Sequence, residues 1–246
     1  MDTTQKSKRS LRGERFFRWR GRDVTRLENL SDIVFALSLT LIVASAVPAS
    51  FAELQALWRE AIAVALCFAL ILLIWTKHHA FFRRYDLEDG KTLFLNSVVL
   101  FLIMIFAYPL KFLATFLVNF STGFYTSGVH ISDVMTFDQT GLMVTIYASG
   151  YAAVFGVFAL LYAHALRHAE MLELSEAEKE MTRLEVRQGV AAVVISMLAV
   201  ILGLTLPAHL TPFAGGIYFF IGPVMGWLSS KARKRAAAYE AGGAVS

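Results

Sequence analysis

The sequence predicts an all-α integral membrane protein with six transmembrane helices per subunit and both termini on the cytoplasmic side. Three observations carry this. Hydrophobic residues make up 57% of the 246 positions and charged residues only 17%, against roughly 25% charged in an average soluble domain; the mean hydropathy is +0.56. Apolar runs reach the length of about 18 residues or more needed to cross a ~30 Å hydrocarbon slab. Lys and Arg alternate between successive loops in a way that only one orientation satisfies.

The first span is expected over residues 29–47, behind the basic tail "KSKRSLRGERFFRWRGR". That tail is too long for a signal-peptide n-region, and Asp32 interrupts the apolar segment, so this span is expected to stay uncleaved. The second span covers 57–82, with "AIAVALCFALILLIW" at its centre. The third covers 92–118, the fourth 140–166, the fifth 188–206 and the sixth 211–230. All are longer than the 9–11 residues of a membrane strand and lack strict alternation, which argues against a barrel.

The connections divide by charge. "KHHAFFRRYDLEDGK", the segment holding Arg167, Lys179, Arg183 and Arg187, and the final "KARKR" are basic, while the alternate connections are nearly free of Lys and Arg. Lys and Arg accumulate on the cytoplasmic side, which places both termini there. The resulting organisation is a basic tail over 1–25, a six-helix membrane domain over 26–230 and a second basic tail over 231–246. "ELSEAEKEMTRLEVRQG" has helical charge spacing and reads as a short cytoplasmic helix leading into the fifth span. The basic tails read as topology and lipid contact rather than nucleic-acid binding. "ISDVMTF" echoes "LSDIVFA", but "DQTG" follows where an apolar run would be needed, so the chain carries one six-span unit.

Several function classes are excluded or weakened. Cys67 is the single cysteine and sits in an apolar run, so there is no intrachain disulfide and no cysteine metal cluster. His78 and His79 diverge by about 100° on a helix and lack the further ligands of a metal site. No nucleophile–base pair or Gly-rich phosphate loop accompanies Ser31 and Asp32, which argues against an enzyme.

Ionisable groups inside a membrane are rare and usually face protein or water. Here the polar residues gather at the cytoplasmic ends of the first three spans: Arg26, Ser31 and Asp32 on the first, Trp75, Lys77, His78 and His79 on the second, Asn96 on the third. Arg26 and Asp32 lie about 240° apart and each needs a partner from another helix. His78 and Asn96 fall at comparable depth. Two readings stand on the residues alone: interfacial polar groups, or an interhelical hydrogen-bond cluster that offsets the cost of Asp32. Along the first span, Ile33, Leu37, Leu41 and Ala44 or Ser45 form one stripe with Thr40 beside it; periodicity alone makes this a packing surface against lipid or another helix.

"RLENLSDIVFALSLTL" resembles the R-x-x-x-F-S-D-x-x-x-x-x-x-x-T-L signature of the transmembrane protein 175 potassium channels, through Arg26, Ser31, Asp32, Thr40 and Leu41. "WTKHHAFF" is similar to that family's W-x-x-H-H-x-x-F, through Trp75, His78, His79 and Phe82, and Asn96 and Pro109 follow on the third span. Leu30 stands where the family has an aromatic residue. The resemblance implies a potassium-favouring cation channel without a TVGYG filter, assembled as a homotetramer in the cell (inner) membrane. It implies a pore lined by the first helix through Ile33, Leu37, Thr40, Leu41 and Ala44, with Leu37 as a hydrophobic constriction. It implies a structural hydrogen-bond cluster of Arg26, Ser31, Asp32, Trp75, His78, His79 and Asn96. No cofactor is expected beyond the permeant K+, and the partners are the bilayer, monovalent cations and further copies of the chain. The alternative is a proton-coupled secondary transporter using Asp32 and His78, weakened by the lack of an inverted repeat.

Overall fold

Helix α1, Arg26–Val43, is started by a reciprocal cap. Thr25 N donates to Glu28 Oε2 (3.0 Å), and Glu28 N donates to Thr25 Oγ1 (3.2 Å), which satisfies two amides that a helix start leaves without partners. These contacts come from a computed structural model that describes residues 15–21, 23–43, 49–121, 137–207 and 209–243. Ala44, the end of the predicted first span and the outside connection before α4 lie outside the described residues.

Helix α2, Phe51–Tyr85, begins at Ser50, whose side chain accepts from Glu53 N, and ends at Asp86 in the left-handed region (φ 50°). Helix α3, Gly90–Ser121, carries Pro109 in its interior. Proline removes one backbone donor and disrupts the preceding turn; nearby, the Tyr147 hydroxyl donates to Pro109 O (2.5 Å). Helices α4, Phe137–Arg167, and α5, Glu176–Thr205, follow. The short α6, Pro212–Gly216, passes through a 3-10 turn, Ile217–Phe220, into α7, Ile221–Gly243.

Five of these stretches are long and apolar enough to cross a membrane: Glu60–Tyr85, Gly90–Ala107, Gln139–Arg167, Glu176–Thr205 and Phe213–Ala241. The described part of α1 is 18 residues long and carries Arg26, Glu28 and Asp32, so its apolar character is diluted at one end. The architecture is all-helical among the described residues, as predicted.

Two boundaries differ most from the sequence reading. The charged segment before the fifth span is not a separate helix; a capping box at Ser175 and Glu178 starts one continuous α5. The last helix does not stop at 230 but runs through "KARKR", since those residues are good helix formers with no Gly or Pro among them.

Helix α1 packs on α3 and α2, while α5 packs on α4 and α7. Small residues let α4 and α5 approach closely: a Cβ at Gly189 would lie 2.7 Å from Ala159 Cβ and 2.9 Å from Phe155 O. This is the small-residue packing that membrane helices use in place of a hydrophobic driving force. An aromatic group built from Phe81, Phe82, Tyr85 and Tyr162 joins α2 to α4 near the end of α2.

Candidate functional site

The two faces of α1 have opposite fates. Ser31, Phe35, Ser38 and Ile42, spaced three and four residues apart, are buried. Ile33 and Leu37 are 58% and 52% exposed, Leu41 is 43% exposed, and Thr40 is exposed beside them. A helix of 3.6 residues per turn places these sets on separate faces. The chain therefore leaves a stripe of large aliphatic side chains and one hydroxyl without cover.

Behind the buried face runs a directed chain of hydrogen bonds. His78 Nε2 meets Asn96 Oδ1 at 2.7 Å; an amide oxygen only accepts, so this contact places a proton on Nε2. Asn96 Nδ2 donates to Ser31 Oγ (3.0 Å), and the Ser31 hydroxyl donates to Leu27 O (2.8 Å). The His78, Asn96 and Ser31 side chains are all buried, and the chain satisfies each of them. Phe35 and Phe82 pack their rings on the His78 imidazole, with centroids at 5.4 and 4.8 Å. One residue from each of α1, α2 and α3 is thus tied at one depth.

Asp32 belongs to a second, separate contact. Trp75 Nε1 donates to Asp32 Oδ1 (2.8 Å), and the indole stacks on His79 with centroids 5.3 Å apart. Adjacent helical residues diverge by about 100°, which is why Ser31 and Asp32 find different partners. Arg26 is exposed and joins neither set of bonds among the described residues. Thr40 Oγ1 donates to Ala36 O (2.9 Å), so its proton is spent on the helix and its oxygen lone pairs point outward, free to accept or coordinate.

The sequence reading did not find the ionic clamps beyond this site. Arg20 forks onto Glu178, with Nη1–Oε1 at 2.9 Å and Nη2–Oε2 at 3.0 Å, and Arg18 N donates to the same carboxylate. Lys77 and Arg84 of α2 both reach Glu185 of α5, at 2.9 and 3.4 Å. His164 Nε2 lies 2.8 Å from Asp89 Oδ2. Partial burial acts to raise the Asp89 pKa, but hydrogen bonds from Thr92 and His164 outweigh it and hold the carboxyl below its ordinary value. The missed signal for Glu178 was its place three residues after Ser175 in a capping-box pattern. For Glu185 it was its position on the Glu178–Thr182–Glu185–Gly189 stripe, the inward face of α5.

Residues 26–107 match the sequence profile of the family described as the endosomal/lysosomal potassium channel TMEM175. A potassium channel of Marivirga tractuosa is 35% identical over 231 residues, covering 89% of this chain and 93% of that one. A potassium channel of Chamaesiphon minutus is 28% identical over 149 residues, covering 57% and 64%. The fold is similar to the crystal structure of a threonine-to-alanine variant of the potassium channel MtTMEM175 in complex with a nanobody–MBP fusion protein, with TM-score 0.79, 33% identity and coverage of 87% of this chain and 97% of that one. By its motifs, its near full-length similarity to the Marivirga channel and its helical arrangement, the chain belongs to the TMEM175 family of potassium channels.

Proposed function

We propose that four copies of this chain form a K+-favouring cation channel in the cell membrane, with both termini cytoplasmic and with α1 of each copy lining a central pore. The observation that carries the reading is the uncovered stripe of Ile33, Leu37, Thr40 and Leu41 on α1. The opposite face of the same helix is braced by the Ser31–Asn96–His78 chain. A helix held so firmly from behind presents its free face to something other than its own protomer, and fourfold convergence turns that face into a conduit.

In this arrangement four Leu37 side chains form the narrowest ring. A ring of aliphatic groups offers a cation no charge and no carbonyl, so it gates by dewetting: closed when narrow and dry, open when a small movement of α1 lets water in. The four Thr40 oxygens, with their lone pairs directed away from the helix, replace part of the cation's water shell just beyond the ring. The bonds of Ser31 and Asp32 to α2 and α3 set the radial position of α1 and hence the ring diameter. Arg26 stands at the cytoplasmic mouth, and Ala44 continues the stripe by register.

The test is K+ flux from proteoliposomes with the purified chain. Wild type yields a flux whose reversal potential follows the K+ gradient alone, and Leu37→Ala raises the flux. A reversal potential that moves with the proton gradient would assign the protein to coupled transport instead, and unchanged flux in Leu37→Ala would remove the leucine ring.

A further inference from the structure

The face formed by α5 and α7 carries a second feature. A groove of about 480 Å3 runs between them, lined by Val186, Val190 and Val194 of α5 and by Val224 and Leu228 of α7, with Arg187 at one end. Apart from that arginine its walls are apolar, as suits hydrocarbon. No other described helix lines it.

At the arginine end the chemistry changes abruptly. Arg183, Arg187 and Arg235 converge on one carboxylate, Glu180, at 3.6, 3.0 and 3.4 Å. The Glu180 side chain is only 4% exposed, whereas the three arginines stay 39%, 43% and 48% exposed. One acid cannot neutralise three guanidinium groups. The surplus positive charge faces outward, and each guanidinium keeps donors free for a further acceptor. The register is consistent on both helices. Arg183 lies seven residues from Val190 and Arg235 seven from Leu228, two turns or about 10 Å along each axis. Both walls of the groove therefore end in the same cationic cluster.

We infer that this groove binds an anionic phospholipid, one acyl chain lying along the valines of α5 and the phosphate seated among Arg187, Arg235 and Arg183. Planar, forked guanidinium groups match phosphate oxygens, and basic clusters at the cytoplasmic end of membrane helices attract anionic headgroups. Glu180 acts as a positioning residue: it gathers the arginines at the mouth of the groove and moderates their affinity. The inference is independent of which helix lines the pore.

The experiment titrates the full-length purified protein with phosphatidylglycerol or phosphatidylcholine of matched acyl chains and counts bound lipid by native mass spectrometry. Phosphatidylglycerol is expected to bind at least about tenfold more tightly. The double variant Arg187→Gln/Arg235→Gln, which leaves Arg183 to pair Glu180, abolishes that preference. Ala191 also lines the groove, and Ala191→Phe fills it without changing charge and weakens both lipids. Glu180→Gln keeps a side-chain oxygen to hold the arginines while removing the one negative charge among them, so it tightens phosphatidylglycerol binding and covers the case in which the arginine variant does not fold. Equal affinity of wild type for the two lipids overturns the inference. So does glycerol phosphate competing as well as the whole lipid, since the groove would then be irrelevant. Efficient disulfide cross-linking of Val190→Cys to a second chain would mean that another copy occupies the groove, and would overturn it equally.

Discussion

Replacing Asn96 with alanine breaks the brace behind α1 at its centre. Asn96 is buried and links His78 to Ser31. Ser31 loses a donor but keeps its own bond to Leu27 O, so its cost is small. His78 Nε2–H is left without an acceptor among packed rings. An orphaned buried donor costs about 1–3 kcal/mol, whereas a polar pair between membrane helices averages about 0.6 kcal/mol. The packing of Phe35 and Phe82 on the imidazole leaves little room for a replacement partner, which favours the higher figure. We expect a loss of about 2 kcal/mol, or roughly 4–8 °C in thermal midpoint for a chain of this size. The assay is thermal unfolding of the purified protein, followed by loss of the intact species on size-exclusion chromatography. A double-mutant cycle sharpens it: His78→Phe with Asn96→Leu removes both polar groups and costs less than the sum of the single changes. A midpoint for Asn96→Ala within 1 °C of wild type, or strict additivity in the cycle, refutes the reasoning.

Other outcomes follow from the same geometry. Arg20→Ala removes the counter-charge of the buried Glu178, which keeps only backbone amides as partners, and destabilises the protein by about 3 kcal/mol, read as faster proteolysis of the segment preceding α1; cleavage at the wild-type rate contradicts it. Gly189→Ala forces α4 and α5 apart at a 2.7 Å contact and costs about 1–3 kcal/mol. Gly156→Ala, whose new Cβ would meet Val193 Cγ2 at 3.4 Å, is close to neutral, and equal thermal midpoints for the two variants count against the packing argument. The Asp89 carboxyl has a lowered folded pKa, so its stabilising contribution is present above the ordinary carboxylate value near 3.8 and is lost as pH falls from there through the folded value. The stability difference between wild type and Asp89→Asn therefore shrinks on acidification across that window; a difference that grows instead gives the wrong sign.

The class and helix order were legible because hydropathy and charge asymmetry are properties of whole segments. The buried partners of α1 were legible for a different reason: Ser31, His78 and Asn96 are polar residues at matching depth in apolar helices, and each needs a partner. Asp32 was harder. Its partner, Trp75, is an interfacial residue by composition, and only the geometry separates the Asp32–Trp75 pair from the Ser31–Asn96–His78 chain. Arg26 has no partner among the described residues, although Ser31 and Asp32 of the same motif are both bonded. The clamps at Glu178 and Glu185 escaped because their charged stripe reads as a solvated face unless one knows which side of α5 meets α2 and the segment before α1. Where α5 begins was missed for a local reason: capping by Ser175 and Glu178 starts the helix well before the apolar run does.

The central claim is that the exposed stripe of α1 faces an aqueous axis. Cysteine accessibility at Leu37 tests it most directly, since the native Cys67 is buried. In proteoliposomes holding Leu37→Cys, a membrane-impermeant cationic thiol reagent should react and block K+ flux, with wild type unaffected. Flux that persists untouched in Leu37→Cys, with labelling only by a lipid-soluble maleimide, would put the stripe against acyl chains and contradict the account.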